Sequence, residues 1–180
     1  MGRSSVAVDP GRTFVPINIA VLTVSDTRTA ADDTSGDILA ERIRGAGHKL
    51  AARAIVRDDA DLIADQLNIW IDDPAIDAVV STGGTGLTGR DVTPEALDRL
   101  KTRDIPGFGE LFRWLSFQSI GTSTIQSRAC AVVASGTYIF ALPGSNGAVK
   151  DGWDGILAEQ LDSRNRPCNF VELMPRLREI

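Results

Sequence analysis

Apolar and polar positions follow two alternating patterns along the first half of the chain. Residues 17–25 form a nearly continuous apolar run that leads into the polar residues Asp26, Thr27 and Arg28. Such a run is typical of a strand buried on both faces of a parallel sheet. Residues 48–56 and 77–82 predict two further strands, and the mixed composition of residues 48–56 places that strand nearer a sheet edge.

Helical periodicity fills the segments between these strands. The sequence Thr34-Ser35-Gly36-Asp37 has the spacing of a capping box and predicts that a helix begins there. Asp58 and Asp59 precede a second apolar stripe at positions 63, 67, 70 and 71, and Thr93-Pro94 opens a third helix with Thr93 as its cap. Alternating strands and helices predict right-handed βαβ units, an α/β fold and a mostly parallel sheet.

The second half of the chain is less regular. Residues 107–117 predict a mostly apolar helix, and residues 131–134 and 138–142 predict a hairpin. A further amphipathic helix follows Ser145. We expect residues 1–16 to be a flexible tail and residues 17–180 to form one domain. Trp70, Trp114 and Trp153 fall on apolar helix sides, which favours the core or a subunit interface.

Composition limits the classes of partner. The 180 residues carry a net charge of −5, with 43% hydrophobic and 24% charged residues, as in an ordinary globular protein. No block of Lys and Arg suits a nucleic acid or an anionic membrane, and no apolar stretch is long enough to span a bilayer. Cys130 and Cys168 are consistent with a disulfide or with two reduced thiols. We expect a cytoplasmic protein.

A glycine-rich loop is the clearest candidate binding element. Ser81-Thr82-Gly83-Gly84-Thr85-Gly86 follows a predicted strand, and ligands of open parallel sheets bind at the carboxyl ends of strands. Such glycines let backbone N–H groups approach an anion, although a tight turn would use the same residues. The loop lacks the Gly-Lys-Ser/Thr ending of a Walker A motif. Residues 84–89 (GTGLTG) have the G-x-G-x-x-G spacing, so a Rossmann-type oxidoreductase is an alternative at this point.

Four further polar segments lie beside predicted strands, three of them after a strand and residues 123–128 ahead of one. Asp58 and Asp91 could cap helices, or they could hold Mg²⁺ against a phosphate that carboxylates would otherwise repel. Residues 123–128 offer hydroxyls and Arg128, or simply form a surface turn. Pro143-Gly144-Ser145 could cradle a phosphate before a helix, or could be an ordinary loop-to-helix junction.

Read together, these segments resemble the MoaB/MogA family of molybdenum cofactor biosynthesis proteins. The likeness rests on 25–28 (SDTR), 33–36 (DTSG), the acidic pair at Asp58, 82–86 (TGGTG), 90–96 (RDVTPEA), 105–112 (IPGFGELF), 127–129 (SRA) and 142–145 (LPGS). It spans roughly residues 17–170, and the order of these motifs is specific. Residues 120–129 and 161–170 look like the MoaB branch in particular.

The resemblance implies a three-layer α/β/α sandwich that assembles as a homotrimer or homohexamer. It also implies molybdopterin as substrate and Mg²⁺-ATP-dependent adenylylation, in which the pterin phosphate attacks the α-phosphate of ATP and pyrophosphate leaves. The alternative is a non-catalytic molybdopterin-binding or scaffold protein of the same fold. For the adenylylation reaction, the resemblance implies that Asp58 and Asp91 are the catalytic and Mg²⁺-binding acids. Arg90 or Arg128 would offset developing charge. The expected nucleotide- and pterin-binding residues are Ser25, Asp26, Thr82, Gly83, Gly84, Thr85, Gly86, Arg90, Ser127, Arg128, Pro143, Gly144 and Ser145.

Overall fold

A six-stranded mixed sheet forms the centre of the molecule in the computed structural model, which describes residues 8–179. Its strands are β1 (Asn18–Val24), β2 (Lys49–Val56), β3 (Ala78–Thr82), β4 (Arg103–Asp104), β5 (Cys130–Ala134) and β6 (Thr137–Leu142). They lie in the order β2-β1-β3-β6-β5-β4, parallel from β2 to β6 and antiparallel from β6 to β4. The predicted strands, the hairpin and the edge position of β2 are confirmed. The two-residue β4 was not predicted because it is too short to have a period.

Helices cover both faces of the sheet. They are α1 (Thr34–Gly45), α2 (Ala60–Ile71), α3 (Thr93–Leu100), α4 (Pro106–Ile120), α5 (Asn146–Gly152), α6 (Ala158–Gln160) and α7 (Phe170–Leu173). A 3-10 helix follows α4 at Gly121–Gln126, a short π-helix at Trp153–Leu157 joins α5 to α6, and a 3-10 helix at Met174–Arg176 is the last helix of the described residues.

Alternate residues of each strand face opposite helix layers, as the period of two requires. On one face Phe140 belongs to the core that packs with α1, α4 and α5, through residues such as Leu39 and Phe112. On the other face Ile139 belongs to the core that packs with α2 and α3, through residues such as Leu67. The predicted three-layer α/β/α arrangement is therefore confirmed.

Two predicted helix caps are wrong. The cap of α1 is Asp33 and not Thr34, because the Asp33 Oδ1 accepts from the Gly36 N–H at 3.1 Å. Thr93 lies inside the first turn of α3 and its hydroxyl donates to the Gly83 carbonyl at 2.9 Å. Its side chain therefore binds a loop carbonyl instead of capping its own helix.

The tail predicted at residues 1–16 contacts the rest of the domain over residues 8–16, and residues 1–7 lie outside the described residues. Val8 forms an antiparallel bridge with Asn165, and the Val15 N–H donates to Ser163 Oγ at 2.8 Å. The Phe14 ring lies 5.1 Å from that of His48. Polar and aromatic contacts thus fix residues 8–16 to the segment that follows α6.

Trp70 and Trp153 are buried, whereas Trp114 is 62% exposed and does not belong to the core. Cys130 and Cys168 are both free thiols, so the disulfide alternative is excluded. Within residues 8–179, every helix is too short or too polar to cross a membrane.

The strand order brings the carboxyl ends of β1, β3 and β6 side by side. The Gly83 N–H donates to the Leu142 carbonyl at 2.9 Å, and the Thr82 hydroxyl donates to the Pro143 carbonyl at 3.1 Å. The loops that follow β3 and β6 are therefore held together at one edge of the sheet. This is the edge at which ligands of open α/β sheets bind.

Candidate functional site

A pocket of about 630 Å³ opens at this edge of the sheet. Its lining includes nine of the residues predicted from sequence: Gly83, Gly84, Thr85, Gly86, Asp91, Ser127, Pro143, Gly144 and Ser145. Three separate stretches of the chain, at residues 83–91, 127 and 143–145, therefore meet around one space. The remaining predicted residues, Ser25, Asp26, Asp58, Thr82, Arg90 and Arg128, lie outside that lining.

The loop between β3 and α3 can form only because two of its residues are glycine. Gly83 has φ = 104° and Gly84 has φ = 66°, in the region that side chains disfavour. A Cβ on Gly84 would also come within 2.5 Å of Asp58 Oδ1 and closer still to Thr93 Oγ1. The absence of a side chain at Gly84 thus lets the Asp58 carboxylate approach the loop backbone.

Asp58 carries the one buried side-chain oxygen or nitrogen atom that has no hydrogen-bond partner among the described residues. Its neighbour Asp59 caps α2, accepting from the N–H groups of Asp61 and Leu62 at 2.9 and 3.1 Å, so the capping alternative for Asp58 is wrong. The buried Asp58 Oδ1 has no hydrogen-bond partner within residues 8–179. Such an atom carries a desolvation cost and requires an explanation, for example an ion that completes the site.

The charges around Asp58 add to this cost. Burial raises the pKa of the Asp58 carboxyl, and the negative charges of Asp26 and Asp91 raise it further, while Arg90 acts in the opposite direction. Arg90 itself pairs with Asp26, at 2.5 Å between Nη2 and Oδ2, and its side chain is 75% exposed. Three carboxylates and one arginine therefore share a small region beneath and beside the glycine loop.

Asp91 has the opposite electrostatic setting. Its Oδ2 accepts from the hydroxyl and the N–H of Thr88 at 2.6 and 2.9 Å, and these bonds lower the pKa of the carboxyl. The side chain does not cap α3, so that alternative is wrong. Asp91 remains ionised, closes the turn that follows Gly86, and lines the pocket. Neighbouring acids whose pKa values move in opposite directions are a common feature of functional sites.

Arg128 holds this turn through its backbone contacts. Its Nε donates to the Gly86 carbonyl at 2.7 Å, and its Nη2 donates to the Asp91 carbonyl at 2.5 Å. Its Nη1 pairs with Glu95, and its own N–H donates to the Thr85 carbonyl at 2.9 Å. Every guanidinium nitrogen is already bound to protein. The geometry therefore favours a bracing role for Arg128 and leaves Arg90 as the arginine with the more exposed cation.

The serines at the rim have local partners. Ser25 Oγ accepts from the N–H of Arg28 at 3.2 Å, and Ser127 Oγ accepts from the N–H of Ala129 at 3.3 Å. Ser145 caps α5 through the Ala148 N–H at 3.2 Å. The segment 121–126 is a 3-10 helix that contributes Thr124 and Gln126 to the pocket, so residues 123–128 are more than a surface turn.

The sequence interpretation missed one complete wall of the pocket. This wall comes from α4 and α5 and consists of Phe112, Ser116, Ser119, Ile120, Gly147, Ala148 and Asp151. The spacing of the α4 residues places them on one helix face, but the same spacing is typical of a core face. The pocket thus has a loop-lined polar end and a less polar wall. This combination suits a ligand with an anionic group and a flat heterocyclic body.

The residues present are compatible with a divalent cation that a ligand helps to hold. Within residues 8–179, no group of three or more His, Cys, Asp or Glu side chains has the geometry of a complete metal site. Mg²⁺ commonly uses one or two carboxylates together with phosphate oxygens and water. The unpartnered Asp58 oxygen beside the glycine loop suits such a shared site.

Comparison with known proteins identifies the family. Residues 20–163 match the family model described as "Probable molybdopterin binding domain". The chain is 52% identical over 157 residues to Molybdenum cofactor biosynthesis protein B of Escherichia coli (strain K12), covering 87% of this chain and 92% of that protein. It is 42% identical over 146 residues to the Bacillus subtilis (strain 168) protein of the same name, covering 81% and 86%.

Solved structures give the same result. A crystal structure of Molybdenum cofactor biosynthesis protein B superposes with a TM-score of 0.83 at 35% identity, covering 92% of this chain and 98% of that chain. The tungsten cofactor synthesizing protein MoaB from Pyrococcus furiosus superposes with a TM-score of 0.74 at 32% identity, covering 91% and 98%.

Replacing Gly84 by alanine tests whether the loop needs this close approach. The new Cβ would meet Thr93 and Asp58 in a backbone conformation that alanine disfavours, so Gly84→Ala is expected to lose about 1–3 kcal/mol of unfolding free energy. Chemical denaturation of both proteins measures the difference. Gly89→Ala is the control, because a Cβ there meets nothing within 4 Å. Equal stability of Gly84→Ala and Gly89→Ala would contradict the packing described.

Proposed function

The chain belongs to the family described as "Probable molybdopterin binding domain" and to molybdenum cofactor biosynthesis, and on that premise we propose that it adenylylates molybdopterin. Mg²⁺-ATP is the second substrate. An oxygen of the pterin's terminal phosphate forms a bond to the α-phosphorus of ATP, the bond between the α- and β-phosphates breaks, and pyrophosphate leaves. The observation that carries the proposal is the buried, unpartnered Asp58 oxygen directly beneath a glycine loop that lines the pocket.

The chain's own residues supply positioning and charge, which are the main requirements of phosphoryl-type transfer. Residues 84–86 bring backbone N–H groups close to the phosphates, whereas the Gly83 N–H already donates to the Leu142 carbonyl. Asp91 stays ionised at the wall of the pocket, where Thr88 fixes its carboxylate. Asp58 and Asp91 hold the cation side of the site, and Arg90 is available to offset negative charge on the nucleotide.

Bound Mg²⁺ supplies charge neutralisation, so that acids and phosphates can occupy the same site. Asp58 fits this role because its carboxylate oxygen has no protein donor and lies among negative charges. Without a cation, an added phosphate would face three carboxylates. The net negative charge of the site therefore supports a metal-dependent nucleotide site over a simple anion site.

The wall of α4 and α5 would receive the heterocycles. Phe112 and Ile120 offer apolar contact, and the hydroxyls of Ser116 and Ser119 offer hydrogen bonds to ring edges. A pocket of about 630 Å³ lies within the usual range for sites that enclose a small molecule. Both substrates would bind with their phosphates toward the loops and their rings toward this wall.

Purified protein incubated with Mg²⁺-ATP and molybdopterin separates catalysis from simple binding. We expect release of pyrophosphate and formation of adenylylated pterin. Asp91→Asn should lower turnover by about 100-fold, since it removes a fixed charge from the site but keeps an oxygen for Thr88. Asp65→Asn, at an exposed position of α2, should match the wild type. Retained pterin binding without any adenylyl transfer would replace the proposal with the non-catalytic scaffold.

Asp58→Asn tests the role of the unpartnered carboxylate. Since burial and neighbouring acids raise the pKa of Asp58, the ionised form costs stability at neutral pH, and the variant should unfold at a temperature no lower than the wild type. A cation needs the ionised carboxylate, so Mg²⁺ affinity should fall as the pH drops through the raised pKa of Asp58. Calorimetric titrations of Mg²⁺ with ATP across pH measure this.

In Asp58→Asn that pH dependence should disappear, together with much of the affinity for Mg²⁺. An unchanged Mg²⁺ titration, with the same pH profile as the wild type, would remove Asp58 from the metal site. A lower unfolding temperature would contradict the electrostatic cost assigned to its charge.

We also propose that the protein is a homotrimer or homohexamer and that α4 contributes to the subunit contact. Leu111, Trp114 and Phe117 are spaced three residues apart on α4 and are 41%, 62% and 51% exposed. Ile125 of the following 3-10 helix is 76% exposed. Apolar side chains grouped in this way are typical of an interface.

Trp114→Glu should therefore reduce the molar mass measured by size exclusion with light scattering. Ile69→Glu is the matched control, because Ile69 is a 64% exposed apolar residue on α2 and away from this group. The assembly should persist in the control. A wild-type monomer, or a Trp114→Glu protein of unchanged mass, would exclude this contact.

A further inference from the structure

The segment between β1 and α1 contacts the turn that follows β6, although the two are more than one hundred positions apart in the chain. We infer that Arg28 is a positioning residue, which fixes the Pro143–Ser145 wall of the pocket from outside. The importance of this role for turnover rests on the proposed function, whereas the contact itself does not. Arg28 lies outside the pocket lining, so it acts through the turn and not on a ligand.

Arg28 joins three parts of the structure. Its Nη2 donates to the Gly144 carbonyl at 2.9 Å, and its Nη1 donates to the hydroxyl of Ser35 in the first turn of α1. The same Nη1 lies 3.6 Å from Oδ1 of Asp33, and the Arg28 side chain is only 27% exposed. A rigid, planar guanidinium can hold such divergent partners in a fixed geometry.

Asp33 keeps the arginine in place. Its side chain is fully buried, with Oδ2 accepting from the Thr23 hydroxyl and from Arg53 Nη2, each at 2.7 Å. Burial raises the pKa of Asp33, but the hydrogen bonds from Arg53, Thr23 and Gly36 outweigh it and hold the pKa below the ordinary value. Asp33 is therefore ionised at neutral pH, and its charge is fixed between β1, β2, α1 and Arg28.

Holding the Gly144 carbonyl has a consequence inside the pocket. Because the peptide unit is planar and trans, the direction of that carbonyl also sets the direction of the Ser145 N–H. Gly144 packs closely on the glycine loop, since a Cβ built on it would lie 3.3 Å from the Gly83 Cα. A second tie, from the Thr34 hydroxyl to Asn146 Oδ1 at 3.0 Å, joins the same two segments. Arg28 thus fixes the position of the Pro143–Ser145 turn against the glycine loop.

The test compares Arg28→Ala and Arg28→Lys with Arg42→Ala. Arg42 is a matched control, since it also links α1 to the segment after β6, through Asp154 at 2.7 and 2.8 Å, but away from the pocket. Arg28→Ala should raise the KM for ATP by about tenfold or more, the usual effect of losing a charged hydrogen bond, and should change kcat far less. The KM of Arg28→Lys for ATP should lie between those of Arg28→Ala and the wild type. Added guanidinium ion should lower the KM of Arg28→Ala.

A ligand-independent measurement accompanies the kinetics. The amide resonances of Gly144 and Ser145 in free protein should shift in Arg28→Ala and stay in place in Arg42→Ala. Unchanged resonances would overturn the inference, even if the wild type neither bound ATP nor adenylylated pterin and the proposed function had failed. With an active wild type, it would equally be overturned by an unchanged KM in Arg28→Ala, by the same KM increase in Arg42→Ala, or by a loss confined to kcat.

Discussion

One buried carboxylate oxygen without a hydrogen-bond partner is the constraint around which the site is arranged. Asp58 Oδ1 can lie where it does because Asp59 takes over the capping of α2 and because Gly84 has no side chain to exclude it. The nearby charges of Asp26 and Asp91 make its position less favourable still. A fold keeps such an arrangement when a ligand compensates for it, and we propose that a cation bound with phosphates provides that compensation.

The rest of the architecture holds four chain segments around this point. The strand order places β1, β3 and β6 next to one another, so their following loops meet by topology alone. Two arginines then fix the details from outside the pocket, because Arg128 braces the turn after Gly86 and Arg28 braces the turn at Gly144. The loops around Asp58 are therefore held in place by hydrogen bonds within the protein, and these bonds do not involve the ligand.

Much of this could be predicted from the sequence, and the exceptions have physical reasons. Apolar runs predicted the parallel strands. The glycine loop could also be predicted, because its backbone conformation requires glycine. The capping role of Asp33 was missed because Thr34 fits the same motif one position later. The roles of Asp58 and Asp59 could not be separated, since both precede the same helix.

Long-range contacts explain the other features that could not be predicted from the sequence. Residues 8–16 appear polar and unstructured in isolation, yet Val15 finds its partner at Ser163. The face of α4 with Phe112 and Ser116 has the pattern of a core face, and only the packing with α5 reveals that it borders a pocket. Arg28 belongs to a recognisable motif, but its bond to Gly144 joins positions that no local pattern connects.

The most direct test of the central claim is a crystal structure of the protein with Mg²⁺ and a non-hydrolysable ATP analogue. We expect Mg²⁺ at about 2.0–2.1 Å from an Asp58 oxygen, with nucleotide phosphates completing its coordination beside Gly83–Gly86. A nucleotide bound elsewhere, or phosphates at the loop with Asp58 still unpartnered, would contradict it.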